Sequence, residues 1–334
     1  MSFCLSVTAL NQRFKIVYNL YMYEKSSSPD MKITSYSFPV CKSLNEAVVL
    51  KCGENVTIES RQTVMGGDAN DAYLLHLSNG EKAFIKVNVR GNADFFWEEA
   101  RGLRAIESTG TMRVPKIYAA GTDGNISFLL MEYINSGCLS QNFWESLGTG
   151  LAKMHQADTS VFVGSGKEYG FITDNYIGAG KQKNTPKTGW IEFFAECRLK
   201  PQFKLAERYF DSYLIKAANN LLDNLDKYLY EPERPSLLHG DLWAGNFMAD
   251  ENGEPMLIDP AVYVGCNEAD IAMTELFGGF DNRFYEAYFD AMGRIPGYED
   301  RRDLYNLYHL TNHLNLFGRS YLSAVIRIIN KYSS

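Results

Sequence analysis

Residues 237–261 read LLHGDLWAGNFMADENGEPMLIDPA, and this stretch carries the strongest information about the fold. Asp241 and Asn246 are five residues apart, and Asp259 follows thirteen residues after Asn246, at the end of an apolar run. Residues 250–253 (DENG) form a turn signal between two short strand-like segments, which predicts a β-hairpin. Such a hairpin would carry Asp259 back beside Asn246.

The residue types in this stretch suit phosphoryl transfer, which needs positioning and charge neutralisation more than covalent chemistry. His239, Asp241 and Asn246 have the H-x-D-x-x-x-x-N spacing of a kinase catalytic loop. Asp241 is the candidate base for the proton of an attacking hydroxyl. Asn246 and Asp259 supply the oxygen ligands that Mg²⁺ takes. Taken singly, Asp241, Asn246 and Asp250 are better explained as ordinary turn residues beside a buried strand, and the kinase interpretation depends on the whole constellation.

The segment before this stretch indicates a nucleotide site. Gly66 and Gly67 lie at a bend between strand-like runs, and glycines let backbone N–H groups approach phosphate oxygens closely. Residues 79–80 (NG) then predict a hairpin into a strand that carries Lys86, which we expect to reach the phosphates of ATP. The loop is not a full G-x-G-x-x-G, so a plain β-turn is the alternative.

A helix is predicted directly after this strand. Residues 95–106 place apolar side chains at helical spacing, and Glu98 and Glu99 lie within them. A kinase needs a helix glutamate that pairs with the strand lysine and holds it at the phosphates. We favour Glu99 over Glu98 for this pairing, while a solvent-facing charge is the alternative for either.

The apolar run at residues 126–134 predicts a strand that ends in a hinge between two lobes. Main-chain groups of Glu132, Tyr133 and Ile134 would then bind the adenine edge of ATP. A buried strand followed by a loop gives the same pattern, because the expected bonds come from the backbone.

The order of the segments indicates a two-lobed chain. Its 334 residues, 46% of them hydrophobic, suffice for two cores. Helical patterns dominate the second half: residues 190–230 are expected to be helical with a break near Pro201, and the chain after Asp259 to be helical with a turn at residues 293–297. This order predicts an α+β, protein-kinase-like fold with a small antiparallel-sheet N-lobe and a larger, mostly helical C-lobe.

We expect the N-lobe to span residues 38–134 and the C-lobe residues 135–334. Residues 1–37 are interpreted as an N-terminal extension, and Met31 is an alternative start. The six cysteines are scattered without a C-x-x-C pair, which is typical of a reduced, cytoplasmic chain. No basic segment precedes the first apolar residues, so no secretory signal is expected.

Composition narrows the classes of partner. The net charge is −7 and no long basic run is present, which argues against nucleic acid. No apolar stretch is long enough to cross a bilayer, so no membrane partner is expected. A small-molecule substrate fits these observations.

Several segments together resemble the fructosamine kinase family, also called ketosamine 3-kinases, which are relatives of aminoglycoside phosphotransferases and choline kinases. The resembling segments are residues 66–70 (GGDAN), 86–88 (KVN), 239–246 (HGDLWAGN), 258–280 (IDPAVYVGCNEADIAMTELFGGF) and 307–322 (LYHLTNHLNLFGRSYL). The family's substrate-lobe signature is resembled by residues 174–178 (DNYIG) with Gln182, Asn184, Trp190, Phe193, Phe194, Arg198, Leu199 and Gln202. Some members carry a cysteine in the glycine loop, where this chain has Asp68, so a redox switch there is not expected.

The resemblance implies a reaction in which ATP phosphorylates the 3-hydroxyl of a ketosamine, a sugar joined to an amine by glycation. The acceptor would be a small-molecule ketosamine or a glycated amine or protein, and the unstable product would shed the sugar. The resemblance assigns Asp241 as base, Asn246 and Asp259 to Mg²⁺, and Lys86 with its partner Glu99 to the ATP phosphates.

The resemblance also suggests supporting residues. Asp270 would brace the catalytic loop, although a first-turn helix aspartate is an equal alternative. Trp243 would form a wall of the sugar site or else be a core aromatic. His239 is interpreted as a structural residue rather than a proton carrier. His309 and His313, one helical turn apart, are interpreted as packing or substrate-side residues rather than metal ligands.

Two other functions compete with the ketosamine reaction. A related kinase for another hydroxyl, on an aminoglycoside, a choline-like amine or a sugar, would share the same core motif. A catalytically dead ATP-binding protein would lack a base, a metal ligand or the lysine, and none is missing. A protein kinase is disfavoured because Gly240 replaces the usual arginine and Pro260 follows Asp259.

Overall fold

The computed structural model of the chain describes residues 38–64, 70–89 and 93–333. The predicted glycine loop with Gly66, Gly67 and Asp68 lies outside the described residues, as does the predicted extension at residues 1–37. Within the described residues, a sheet-based N-lobe is followed by a helical C-lobe, as the sequence predicts. The exact lobe boundaries stay a prediction.

The N-lobe is built on one six-stranded sheet. Its strands are β1 (Val40–Cys41), β2 (Ile58–Thr63), β3 (Asp71–Leu77), β4 (Lys82–Asn88), β5 (Ile117–Asp123) and β6 (Ile126–Met131). They lie in the order β1-β5-β6-β4-β3-β2. The pairing of β1 with β5 is parallel and every other pairing is antiparallel, so the sheet is mixed rather than fully antiparallel.

The parallel edge of this sheet depends on one glycine. A Cβ at Gly121 would lie 2.0 Å from the carbonyl oxygen of Cys41, so only glycine lets β1 pair this closely. β1 leads into helix α1 (Leu44–Cys52), where Ser43 accepts a hydrogen bond from the N–H of Glu46 and caps the helix.

The strand that carries Lys86 forms as predicted. β3 and β4 pair antiparallel around the turn at residues 79–80, where Gly80 has a φ of +83°. Helix α2 (Ala93–Ser108) follows β4 and packs against the larger core. Its buried residues show the predicted helical spacing: Phe96, Ala100, Leu103 and Ile106.

The C-lobe is mostly helical. Its helices are α3 (Phe143–His155), α4 (Trp190–Phe193), α5 (Lys200–Ala206), α6 (Ser212–Asp223), α7 (Glu268–Leu276), α8 (Asn282–Met292), α9 (Tyr298–Phe317) and α10 (Leu322–Tyr332). A π-helix (Phe194–Leu199) joins α4 to α5, and 3-10 turns lie at Glu207–Tyr209, Leu225–Lys227 and Arg319–Tyr321. Three short antiparallel pairs complete the lobe: β7 (Asn175–Ile177) with β8 (Gly180–Gln182), β9 (Ser236–Leu238) with β12 (Tyr263–Gly265), and β10 (Phe247–Ala249) with β11 (Pro255–Leu257).

Two local predictions for the C-lobe are wrong. Pro201 does not break the helical region, because it lies in the first turn of α5, directly after the π-helix, and α5 continues through it to Ala206. The break comes instead at Phe210, after which Asp211 caps α6. The chain after Asp259 is also not purely helical, since β12 pairs with the distant β9. The predicted turn at residues 293–297 is confirmed.

The described helices do not have the features of a membrane span. Across the three described ranges, every helix is too short or too polar to cross a bilayer.

Candidate active site

The predicted hairpin after the catalytic loop is confirmed. β10 and β11 pair antiparallel with Phe247 opposite Leu257. Asp250 closes the turn, because one of its carboxylate oxygens accepts hydrogen bonds from the N–H groups of Asn252 and Glu254. At the open end, the N–H of Ile258 donates to the carbonyl of Asn246 at 3.0 Å. Asn246 and Asp259 therefore flank the same end of the hairpin.

Asn246 is oriented by the main chain of residues 239–246, the predicted catalytic loop. Its Nδ2 donates to the main-chain oxygen of Asp241 at 2.8 Å and lies 3.3 Å from the Asp241 carboxylate. The same Nδ2 also lies 3.5 Å from the main-chain oxygen of Asp259. The amide oxygen of Asn246 is thus left available as a ligand.

The carboxyl group of Asp241 is poised near neutral pH. Removal from water raises the pKa of Asp241 to about 7, and the nearby charge of Asp259 acts in the same direction. The hydrogen bond from Asn246 opposes this rise. A carboxyl with this pKa is a stronger base than an ordinary aspartate, as a proton acceptor requires.

Lys86 joins the two lobes of the site. Its Nζ lies 2.7 Å from Glu99 Oε1 on α2 and 2.5 Å from Asp259 Oδ1 in the C-lobe. Burial opposes the ammonium charge, but the two carboxylates outweigh it and raise the pKa of Lys86 above its usual range. Lys86 therefore stays charged, and Glu99 rather than Glu98 is its partner in the N-lobe.

Asp259 has an unusual backbone conformation. Its φ of +53° lies in the left-handed region, which costs a non-glycine residue about 1 kcal/mol. The following Pro260 also disfavours the right-handed helical conformation at this position. The conformation persists at the point where the carboxylate meets Lys86, as is common for residues of functional sites.

The catalytic loop needs glycine at position 240. Gly240 has a φ of +82°, and a Cβ there would lie 2.1 Å from the carbonyl oxygen of Ala261. The two segments are joined by a hydrogen bond from the N–H of Ala261 to the carbonyl of His239, at 2.9 Å. This close approach explains why no arginine occupies the position before Asp241.

Asp270 fixes the backbone at the start of the predicted catalytic loop. Its carboxylate accepts hydrogen bonds from the N–H groups of His239, at 2.7 Å, and Gly240, at 2.9 Å. His155 Nε2 lies 3.2 Å from the same carboxylate, and its Nδ1 lies 2.8 Å from the hydroxyl of Tyr288. Burial opposes the charge of Asp270, but these partners lower its pKa below the ordinary value.

His239, which is interpreted as structural, and His309, which is interpreted as a packing or substrate-side residue, are both buried. Burial lowers the pKa of His239, and its Nε2 lies 2.9 Å from the carbonyl of Ile258. Burial and His313 lower the pKa of His309 to about 3. His313 instead lines the cavity described next and stacks on Phe277, with ring centroids 5.1 Å apart.

A cavity of about 700 Å³ joins these residues. Its polar wall contains Asn70, Lys86, Glu98, Glu99, Asn175, Asp241, Asn246, Asp259, Asn312 and His313. Its apolar wall includes Trp243, which is 41% exposed, with Phe277 and Phe317. Phe277 and Phe317 were not predicted to line the cavity. Phe277 directly follows α7, and Phe317 is the last residue of α9.

The predicted hinge residues lie outside this wall. Glu132, Tyr133 and Ile134 follow β6 but are not among the cavity-lining residues described. The N–H of Glu132 donates to the carbonyl of Lys116, and its side chain pairs with Arg113 at 3.0 Å. Arg113 also contacts Asp250, so this segment is tied to the β10–β11 hairpin.

The donor set fits a magnesium ion. Asn246 offers an amide oxygen and Asp259 a carboxylate, and hard oxygen ligands of this kind are what Mg²⁺ takes. Only one Asp259 oxygen is paired with Lys86. A cluster of three His, Cys, Asp or Glu side chains able to hold a metal does not occur among the described residues.

Comparison with known proteins identifies the family of this chain. The family model described as fructosamine kinase matches residues 40–334. The chain belongs to the fructosamine kinase family. Protein-ribulosamine 3-kinase, chloroplastic, from Oryza sativa subsp. japonica is 41% identical over 290 residues, which cover 85% of this chain and 82% of that protein.

Two further relatives agree with this membership. A Synechocystis protein provisionally named ketoamine kinase is 40% identical over 80% of this chain and 88% of its own length. The crystal structure of a protein provisionally named fructosamine-3-kinase, from Haemophilus somnus, superposes with a TM-score of 0.77 at 28% identity. That match covers 87% of this chain and 96% of the other. The predicted kinase-like fold and family resemblance are confirmed.

Proposed function

We propose that this chain transfers the terminal phosphoryl group of ATP to the 3-hydroxyl of a ketosamine. The observation that carries the proposal is the convergence of Lys86, Asp241, Asn246 and Asp259 on one cavity in a member of the fructosamine kinase family. Relatives named ribulosamine 3-kinase and ketoamine kinase support the acceptor class. The phosphorylated product sheds its sugar, so the reaction would reverse glycation.

The nucleotide side of the proposal rests on charge. Lys86, held by Glu99, presents a fixed positive charge for the phosphate oxygens. Asn246 and Asp259 would hold Mg²⁺, which supplies neutralisation of the charge on the transferred phosphoryl group. The glycine loop at Gly66 and Gly67 would cover the phosphates. Adenine binding by the backbone of residues 132–134 remains part of the proposal, although these residues lie outside the cavity wall.

The acceptor side rests on Asp241 and its surroundings. Asp241 orients the attacking hydroxyl and accepts its proton, for which a pKa of about 7 is well matched. Asp270 and His239 hold the loop that carries Asp241, because their hydrogen bonds fix its backbone. Trp243 stands half-exposed at the cavity wall and offers a flat face for the sugar.

The proposal also covers the type of acceptor and the cellular compartment. A free glycated amine and a glycated protein share the ketosamine group that this site would recognise. The scattered cysteines of the sequence support a reducing, cytoplasmic environment.

Phosphorus NMR with a panel of acceptors tests the proposal. The wild-type chain is incubated with ATP and Mg²⁺ and, separately, with fructoselysine, ribuloselysine, choline or an aminoglycoside. We expect a sugar 3-phosphate with one or both ketosamines and none without Mg²⁺. Phosphorylation of choline or the aminoglycoside alone would instead establish a kinase for another hydroxyl, and no transfer to any acceptor would contradict the proposal.

A further inference from the structure

The β7–β8 hairpin lies between the acceptor side of the cavity and the N-lobe. Asn175, Tyr176 and Ile177, with the turn residues Gly178 and Ala179, line the cavity. The turn is tight, since Gly178 has a φ of +54°. Any acceptor that fills this side of the cavity therefore contacts the hairpin.

The same hairpin is attached to α2 of the N-lobe. The hydroxyl of Thr173, two residues before β7, donates to Glu98 Oε2 at 2.5 Å. Arg101 donates to that hydroxyl at 2.9 Å and to Glu98 Oε1 at 2.7 Å. The rings of Phe95 and Tyr176 pack with centroids 4.9 Å apart. We call Glu98, Arg101 and Thr173 the lobe joint.

Glu98 of the lobe joint is adjacent in α2 to Glu99, the partner of Lys86. Successive residues of an α-helix point about 100° apart, so Glu98 faces the hairpin while Glu99 faces Lys86. The Glu98 side chain is only 13% exposed, which strengthens its bonds to Thr173 and Arg101 relative to a solvated pair. A displacement of the hairpin would therefore move the helix that positions Glu99.

The hairpin is fixed to the segment between Asp259 and β12. Asn175 Nδ2 donates to the carbonyl of Val262 at 2.8 Å, and Gln182 Nε2 donates to that of Ala261 at 2.9 Å. These two amides are joined to each other, and the Tyr308 hydroxyl donates to Gln182 at 2.7 Å.

The buried guanidinium of Arg198 is part of this hydrogen-bond network. Arg198 is fully buried and donates to Asn184 Oδ1 at 2.8 Å, while Asn184 donates to Asn175. The guanidinium also lies 3.8 Å from the ring centroid of Tyr263. The signature residues Asn175, Gln182, Asn184 and Arg198 thus form a buried scaffold beneath the acceptor wall.

We infer that the β7–β8 hairpin and the lobe joint couple binding of the acceptor to binding of the nucleotide. In this account, which rests on the proposed function, acceptor contacts hold the hairpin in place. The hairpin then holds α2 through Thr173 and Glu98, and α2 keeps Glu99 on Lys86. Glu98 and Thr173 are positioning residues, since they act through the Lys86–Glu99 pair rather than on the phosphoryl group.

Calorimetric titration measures this coupling. The Kd of a non-hydrolysable ATP analogue with Mg²⁺ is determined with and without saturating fructoselysine. In the wild type we expect the acceptor to tighten analogue binding at least about fivefold, and the analogue to tighten acceptor binding by the same factor. In Thr173→Val, which removes the hydroxyl but keeps the side-chain shape, the ratio should fall to about one.

Matched variants separate this coupling from a general loss of stability. Thr173→Ser retains the hydroxyl and should retain the wild-type ratio, whereas Glu98→Gln, which loses the ion pair with Arg101, should reduce it. Glu107→Gln removes an exposed pair with Arg104 on the same helix and should leave the ratio unchanged.

Three outcomes would overturn the inference. A wild-type ratio of one, or a full ratio in folded Thr173→Val, would remove the coupling while leaving the ketosamine reaction intact. Failure of the wild type to phosphorylate any ketosamine would remove the proposed function and this inference with it.

Discussion

Neighbouring side chains determine what the acidic residues of this site can do. Glu98 and Glu99 are adjacent in sequence, yet one binds Thr173 and Arg101 and the other binds Lys86. The helical pattern predicts that both lie on α2. The pairing of Glu99 with Lys86 was predicted from the order of the kinase segments. The partners of Glu98 were not predicted, since residue 173 is distant in sequence and the contact depends on how the lobes pack.

The pKa of Asp241 leads to a prediction for pH dependence. Burial and the charge of Asp259 raise this pKa to about 7, and a protonated carboxyl cannot accept a proton. We expect kcat/KM to decrease as pH falls through about 7 and to level off above it. Higher Mg²⁺ should move the midpoint to lower pH, because a cation at Asp259 offsets the charge that raises the pKa.

Initial rates across pH at two magnesium concentrations test this expectation. A profile without an acidic limb between about pH 5 and 8, or a midpoint that moves to higher pH with magnesium, would contradict the role given to Asp241.

At the scale of elements, hairpins with a turn signal in the sequence were predictable, whereas the pairing of strands from distant segments was not. The hairpins at residues 79–80 and 250–253 were predictable because their turn residues lie next to the strands they join. β12 was not, because its partner β9 lies on the far side of the catalytic loop. The β7–β8 hairpin carried a family resemblance but no clear strand pattern, since each strand has only three residues.

The catalytic loop provides a stability prediction at this scale. Gly240→Ala would place a Cβ against the Ala261 carbonyl at a positive φ, so we expect the free energy of unfolding to fall by about 2 kcal/mol or more. Gly164→Ala is the matched control, because no atom lies within 4 Å of its Cβ position and its φ is not positive. Urea unfolding of both variants measures the difference. Equal stability of the two would show that the loop relaxes without cost.

On the scale of the whole molecule, the two-lobed architecture and the central site residues were predictable from one chain. Lys86, Asp241, Asn246 and Asp259 line one cavity, as their order in a kinase-type motif predicts. His155, Phe277 and Asn312 were not predicted as parts of the site. They come from helices, or helix ends, whose local patterns indicate only packing, and the tertiary fold alone brings them to Asp270 or the cavity wall.

Asp241→Asn tests the central claim most directly, because it removes the proton acceptor and preserves the shape of the side chain. ATP turnover with fructoselysine and the Kd for ATP with Mg²⁺ are measured on the folded variant and the wild type. We predict that turnover falls at least about 100-fold while the Kd for ATP stays within about twofold. Turnover near the wild-type rate, or loss of ATP binding by a folded variant, would contradict the assignment of Asp241 to the acceptor hydroxyl.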